Sequence, residues 1–562
     1  MRGDFVKRGT EELQAARKQS RRLFWMVGVF SLFSNVLMLA GPIYMLQVYD
    51  RVLASGSLET LIVLSGLVLF LYVIMGILDF VRSRIMARIG LRFYQALERR
   101  VYHASLRKAA VLPTSGTQTA LDDLNAVRRF FAAPALIAGF DLPWMPVFFA
   151  AIFLFHPLLG FAALAGAAAL IALTFANQLL SRNAQHEGEA KAQRARTFVQ
   201  QMHDGADFVQ ASAIRRASYD RWTDLQTAAL GHEYDAGAVG STCSTMTKTL
   251  RLFLQSAMLG LAAWLVIKGQ MTAGGMIAGS VLLGRALSPI EQLLNQWPSV
   301  QSSRQSWVRL ATLLGEVPVE APLTELPKPR AYLTVKGLTV VPPGERQATL
   351  KSLGFSVNPG EAVGVIGPSG TGKSSLARAL AGLWPAVGGH IRLDGAALDQ
   401  YGVDVLGKHI GYLPQRVTLF DGTIAENIAQ LALQTDDAKL VQAAQMAGAH
   451  EMILALPQGY DTPIVVGNLR LSGGQLQRIG LARALYDDPV VVILDEPNSN
   501  LDNDGSTALN HAIRTMKAQG KAVLIMAHRP AAIKECDKLL VLENGTCAAF
   551  GPKDQVLRDM VK

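Results

Sequence analysis

Apolar positions along this chain follow two different patterns, and the change falls near Trp307. Before it, six apolar stretches near 23–48, 58–81, 136–156, 158–179, 250–268 and 272–296 each approach or exceed the roughly 20 helical residues that cross a bilayer. Between them lie two long polar segments, about 82–135 and 180–249, rich in Ala, Gln, Arg and Glu. Each is expected to form a pair of helices of roughly 25 residues, projecting about 35 Å. Their short polar tips, Leu121 to Leu124 and Asp204 to Asp207, are where contact with a second domain is expected. After Trp307 a proline-rich linker (Pro318, Pro322, Pro327, Pro329) leads into short β-branched runs that alternate with helical stretches, which predicts an α/β domain on a largely parallel sheet. The pattern divides the chain into an N-terminal segment 1–22, a six-helix membrane domain 23–310 with cytoplasmic extensions, a linker 311–330 and an α/β domain 331–562.

Composition fits that division. Half of the 562 residues are apolar and 17% are charged, which excludes a disordered chain. The excess of +10 lies wholly before residue 330, because the residues from 330 onward hold 22 basic and 22 acidic side chains. A basic excess suits nucleic acid or the cytoplasmic face of a membrane, and the apolar spans decide for the membrane. Arg17, Lys18, Arg21 and Arg22 precede the first span, and ten Arg or Lys residues from Arg82 to Arg129 follow the second. The opposite loops carry little beyond Asp50, Arg51, Glu59 and Lys268. This asymmetry predicts cytoplasmic termini and long loops, with the first span an uncleaved anchor. Cys243, Cys536 and Cys547 have no metal-ligand spacing and are expected to be reduced thiols.

Within the spans, Arg285 is a charge midway along an apolar helix. Two readings stand: a functional residue, or a structural one that pairs with Asp79 or Asp141 or snorkels along the helix. Pro42 and Pro289 are expected to kink their helices, and Gly275 and Gly279 have the spacing that permits close helix contact.

The α/β segment carries the chemistry. Strand 361–366 runs into Gly367, Pro368, Ser369, Gly370, Thr371, Gly372, Lys373, Ser374 and Ser375, then an Ala/Leu helix. This is GxxxxGK[ST] in a strand, loop and helix setting. Its glycines let successive backbone N–H groups converge on phosphate oxygens at a helix N-terminus. Lys373 supplies a charge to the β- and γ-phosphates and Ser374 a hydroxyl for Mg²⁺. Farther on, the apolar run 490–494 ends in Asp495 and Glu496. An acid at the end of a buried strand beside the phosphate loop is placed to hold a metal, and its neighbour to polarise a water.

Leu471 to Gln475 (LSGGQ), just upstream, resembles the signature motif of ABC-transporter ATPase domains. Gln415 resembles their Q-loop, Ser499 to Asp502 their D-loop, and His528 their switch histidine. The resemblance implies ATP held between Gly367, Ser369, Gly370, Gly372, Lys373, Ser374 and Ser375 of one chain and Ser472, Gly473, Gly474 and Gln475 of another, with Asp502 nearby. It further implies Mg²⁺ on Ser374, Gln415 and Asp495, and catalysis by Glu496, His528, Gln415 and Lys373. One such domain with six spans is half of the family's usual set, so a homodimer is implied. Two positions depart from the family. Val340, Val341 and Pro342 stand where an adenine-stacking aromatic is usual, and Val465, Val466 and Gly467 replace a Glu-bearing turn.

The segments 42–52, Ser57 to Thr60, 140–146, His156-Pro157 and 495–502 together resemble type I secretion ATPases of the PrtD type. That resemblance implies an inner-membrane exporter of unfolded polypeptides with a C-terminal secretion signal, protease or RTX-type cargo. Its partners would be a periplasmic membrane-fusion adaptor, an outer-membrane channel protein, the secreted polypeptide and membrane lipids, with no nucleic acid. A lipid or small-molecule exporter of the same architecture is the alternative, and a non-hydrolysing nucleotide-binding regulator a third reading. With no cysteine before the first span, leader processing by a cysteine-peptidase domain is not expected.

Overall fold

The computed structural model describes residues 2–111, 119–319, 324, 326–465, 471–499, 501–528 and 533–560. They form two compact units, one helical, made of Met1–Leu106 and Gly116–Val317, the other mainly α/β, made of Pro318–Lys562 with the short stretch Arg107–Ser115.

In the helical unit, five stretches among the described residues are long and apolar enough to cross a membrane: Arg21–Ser55, Leu58–Val111, Pro134–Phe155, Thr245–Ile267 and Ala273–Leu293. A shorter apolar stretch, Pro157–Leu173, opens the 48-residue helix Pro157–Asp204 and lies in the expected fourth span. The first span is interrupted just before Pro42, where a kink was expected. Helix Arg21–Leu37 gives way to Ala40–Gln47, which contains Pro42, and then to a π-turn at Val48–Val52. The last span runs on through Pro289. A Cβ on Gly279 would lie 3.9 Å from Leu159 Cδ1, an ordinary contact, so the close approach suggested by the glycine spacing is not used there.

Helix Leu58–Val111 shows how one element serves two environments. Leu58, Ile62, Val63, Leu67, Phe70, Val73 and Ile77 are exposed, as a lipid-facing surface requires. From Arg82 onward the same helix buries Met86, Ile89, Phe93, Leu97, Val101 and Ala104, an amphipathic stripe at three- and four-residue steps. That stripe packs with Leu13, Leu124, Val127, Leu310 and Leu314. The helix runs unbroken over 54 residues, and its part from Arg82 together with helix Ala120–Phe131 gives the expected pair in 82–135, the second helix only 12 residues long. The second polar segment is carried by Pro157–Asp204 and the 53-residue Arg215–Ile267, with a turn at Gly205 where the tip was expected.

The other expected tip is corrected. Leu121 to Leu124 lies in helix Ala120–Phe131 with Asp123 and Leu124 buried. Asp123 accepts from Ser306 Oγ at 2.9 Å and pairs with Arg309 of helix Trp297–Glu316. An acid closed in this way is a packing contact, not a projecting one.

Arg82, 5% exposed, is the centre of a buried polar cluster. Its Nη1 donates to Asp141 Oδ1 at 2.7 Å and to Ser31 Oγ at 2.9 Å, and its Nη2 lies 3.0 Å from Asp79 Oδ1. Ser34 donates to Asp79 and Asn35 to Asp141, each at 2.8 Å. Asp79 and Asp141 are thus taken by Arg82. The pairing of either with Arg285, one of the readings left open, does not occur, and Arg285 sits half-buried with no hydrogen bond or ion pair among the described residues.

The α/β unit is built on a six-stranded sheet. Its strands come from a chain order of β1 (Leu333–Val340), β2 (Leu350–Val357), β3 (Ala362–Ile366), β4 (Gly388–Leu393), β5 (Ala396–Ala397), β6 (Ile410–Leu413), β7 (Gly422–Thr423), β8 (Pro463–Ile464), β9 (Val491–Asp495), β10 (Ala522–Met526), β11 (Lys538–Glu543) and β12 (Thr546–Pro552). The spatial order of the large sheet is β12-β11-β3-β10-β9-β6, parallel except at β12. Strands β2-β1-β4-β5 form a separate antiparallel sheet. Strand β9 explains its own composition: Val491 and Ile493 enter one core, Val492 and Leu494 the other, so both faces demand apolar residues.

Candidate nucleotide site

Three neighbouring parallel strands, β6, β9 and β10, end at one edge of the sheet, where ligands of open α/β sheets bind. Gln415 follows β6, Asp495 and Glu496 close β9, and His528 follows β10. Glu496 joins them: its Oε2 accepts from Gln415 Nε2 at 3.0 Å and its Oε1 lies 3.0 Å from His528 Nε2. Its backbone N–H donates to Met526 O at 3.0 Å. Glu496 has a left-handed backbone with φ of 51°, rare for a residue other than glycine. These groups face a cavity of about 400 Å³ lined also by Ser369, Asn498 and Ser499.

The phosphate loop leaves β3 on the other side of β10. Gly367, at φ of 155°, passes so close to β11 that a Cβ there would meet Leu542 O at 2.3 Å. Gly370 and Gly372 have φ of 84° and 99°. The loop feeds helix Lys373–Leu380, whose first N–H groups are free to meet an anion. Lys373 is buried and folds back, its Nζ donating to Gly367 O at 2.8 Å and Pro368 O at 2.7 Å. Burial pulls its ammonium below the ordinary lysine range, opposed by Glu496 and then Asp495. Ser374 Oγ donates to Asp495 Oδ1 at 3.2 Å. Burial lifts the Asp495 carboxyl, the Ser374 bond opposes it, and Glu496 adds to the rise. Two hard oxygen donors side by side suit Mg²⁺, which keeps most of its oxygen shell and needs few protein ligands.

Of the sequence-predicted residues, Ser369, Gln415, Glu496 and His528 line one cavity, and Lys373, Ser374 and Asp495 meet beneath the loop. The signature segment does not line that cavity. Ser472 and Gly473 are exposed, and Ser472 caps helix Gly473–Leu485 reciprocally with Gln475. Asp502 caps Asn503–Ala518 through Gly505 N at 2.7 Å and contacts Arg478 at 3.4 Å. Val465 closes the described part of its segment, and Val466, Gly467 and Asn500 lie outside the described residues. One contributor was missed. Gln477, 4% exposed, donates from Nε2 to Glu496 O at 3.1 Å and so fixes the turn. Its signal was a glutamine in line with Gly480, Leu481 and Ala484 on the apolar face.

A phosphate loop, an acid pair at the end of the next strand but one and a capped LSGGQ helix define a transporter ATPase, and the comparisons agree. The description "ABC transporter" matches residues 350–499, and "ABC transporter transmembrane region" matches residues 24–289. The chain belongs to the ABC transporter family: it is a multi-pass membrane protein that binds nucleotide and couples ATP hydrolysis to transport. Within that family it belongs with the type I secretion proteins. It is 43% identical to the type I secretion system ATP-binding protein PrsD of Rhizobium meliloti (strain 1021), over 98% of this chain and 94% of that one. The cyclolysin secretion/processing ATP-binding protein CyaB of Bordetella pertussis is 28% identical over 96% of this chain and 76% of its own length. In fold the chain matches a bacterial Atm1-family ABC exporter solved with ATP bound, with TM-score 0.80, 20% identity and 96% of each chain covered.

Proposed function

We propose that this chain is the inner-membrane pump of a type I secretion system, exporting unfolded polypeptides that carry a C-terminal signal. The observation that carries the ATPase part is the Glu496 carboxylate held at 3.0 Å by both Gln415 and His528 beside the loop cavity. The export part is supported by the likeness to PrsD over nearly the full length of both chains.

Two copies would close on ATP, the loop from Gly367 to Ser375 of one facing Ser472, Gly473 and Gly474 of the other. The exposed start of the signature helix suits that role, since its N–H groups favour a γ-phosphate. Lys373 exchanges two loop carbonyls for phosphate oxygens, and Ser374, Gln415 and Asp495 would hold Mg²⁺, which neutralises phosphate charge when bound. Glu496 takes the proton of the attacking water, Gln415 and His528 fix its two oxygens, and Asp502 orders the neighbouring turn. Both termini and the ATPase unit face the cytoplasm. A membrane-fusion adaptor and an outer-membrane channel continue the path.

The purified chain should capture secreted polypeptides of its own cell only when their C-terminal segments are intact, and should become dimeric with ATP and Mg²⁺. Capture that ignores those segments refutes the cargo. A stable monomer with full ATP turnover refutes the closure.

A further inference from the structure

At the start of two spans the helical unit bounds an open cavity of about 410 Å³, within the range of small-ligand pockets. Phe24, Phe131, Leu136 and Trp307 wall it, and Arg17 and Arg304 stand at its edge. Phe24 lies just inside helix Arg21–Leu37, and Leu136 in Pro134–Asp141, which opens the third span. Phe24 and Phe131 have ring centroids 6.1 Å apart, so these two rings adjoin in the wall. Both arginines are exposed, and among the described residues neither side chain has a hydrogen bond or ion pair.

An apolar aromatic wall at the edge of a bilayer suits an acyl chain, and two unpartnered guanidinium groups beside it suit a phosphate. A polypeptide fits poorly, because its backbone N–H and C=O groups need partners and Ser303 is the single uncharged polar residue of the lining. A zwitterionic lipid would bring an ammonium toward two arginines. We propose that this cavity binds an anionic phospholipid of the cytoplasmic leaflet, a proposal that rests on the topology given above.

The test uses the full chain in nanodiscs of phosphatidylcholine doped with phosphatidylglycerol. Parent protein should retain phosphatidylglycerol selectively, as read by mass spectrometry of bound lipid. Arg17→Gln with Arg304→Gln should weaken retention by about fivefold per arginine. Brominated phosphatidylglycerol should quench tryptophan fluorescence, and Trp307→Phe should remove part of that quenching. Unchanged ATP turnover in pure phosphatidylcholine reports that the variants are folded. Equal retention by parent and double variant overturns the proposal. So does displacement of the lipid by inorganic phosphate at matched ionic strength, recovery of a polypeptide in its place, or a change of oligomeric state alone. Lipid retention needs neither cargo nor ATP turnover, so its failure leaves the export reading untouched, and failed cargo capture leaves the lipid site untouched.

Discussion

Two clusters of charge, one in each unit, are built on opposite plans. Around Arg82 the charges are paired inside the chain: both guanidinium Nη atoms meet carboxylates, two serines and an asparagine from another helix surround them, and only the buried Nε has no partner among the described residues. Around Glu496 the acids neighbour each other. Asp495 is lifted by burial and further by Glu496, while Lys373 is pulled down by burial and donates to its own loop. The first cluster is complete, and its removal costs structure. The second is balanced only when a charged guest arrives, and its removal costs function.

The largest effect that could break this contrast is on turnover. Glu496→Gln should lower ATP hydrolysis by about 10²–10⁴-fold, the usual worth of a general base, while nucleotide binding survives. A turnover near that of the parent would remove Glu496 from the role proposed for it. Next is Arg82→Ala, which leaves the buried Asp141 carboxylate without its counter-charge. Breaking one side of a buried pair costs about 3–5 kcal/mol, so thermal unfolding in detergent should fall steeply. A variant as stable as the parent would show that the cluster is not structural.

Asp495→Asn sharpens the comparison with a smaller change of the opposite sign. Because the folded state holds this carboxyl above its ordinary value, its contribution to stability is lost as pH rises from the ordinary carboxylate range through the raised value. Above that window the ionised acid is a cost, and asparagine removes it. Nucleotide-free Asp495→Asn should therefore unfold at a higher temperature than the parent at neutral pH, yet lose Mg²⁺-dependent nucleotide binding. A lower unfolding temperature at neutral pH would contradict the electrostatic reading. Smallest is Arg285→Gln. This arginine has no partner among the described residues, so nothing is left unpaired and stability should stay level or rise slightly. A loss comparable to that of Arg82→Ala would reveal a hidden partner.

What the sequence disclosed depended on how local the cause was. Gly367 to Ser375 was legible because loop, strand and helix are contiguous. Asp495 and Glu496 were legible because a strand buried on both faces writes an unbroken apolar run before them. The Arg82 cluster was not, since Asp141 lies 59 residues away and a charge at the end of a span says nothing about which acid it will meet. The same applies to Asp123, whose partner Ser306 is 183 residues distant and which therefore looked like a solvated tip. Gln477 was hidden differently: its spacing was visible, but a lone glutamine on a helix gives no sign that it holds the backbone of a residue on another strand.

The φ of 51° at Glu496 has an evolutionary corollary. Glycine is the amino acid that fits such a backbone most comfortably, and a mutation to it would ease the turn while deleting the acid. Folding alone would welcome that drift. An acidic residue that persists in descendants at this corner is thus a record of natural selection acting on fuel consumption, and a lineage that has relaxed to glycine there marks a pump falling silent.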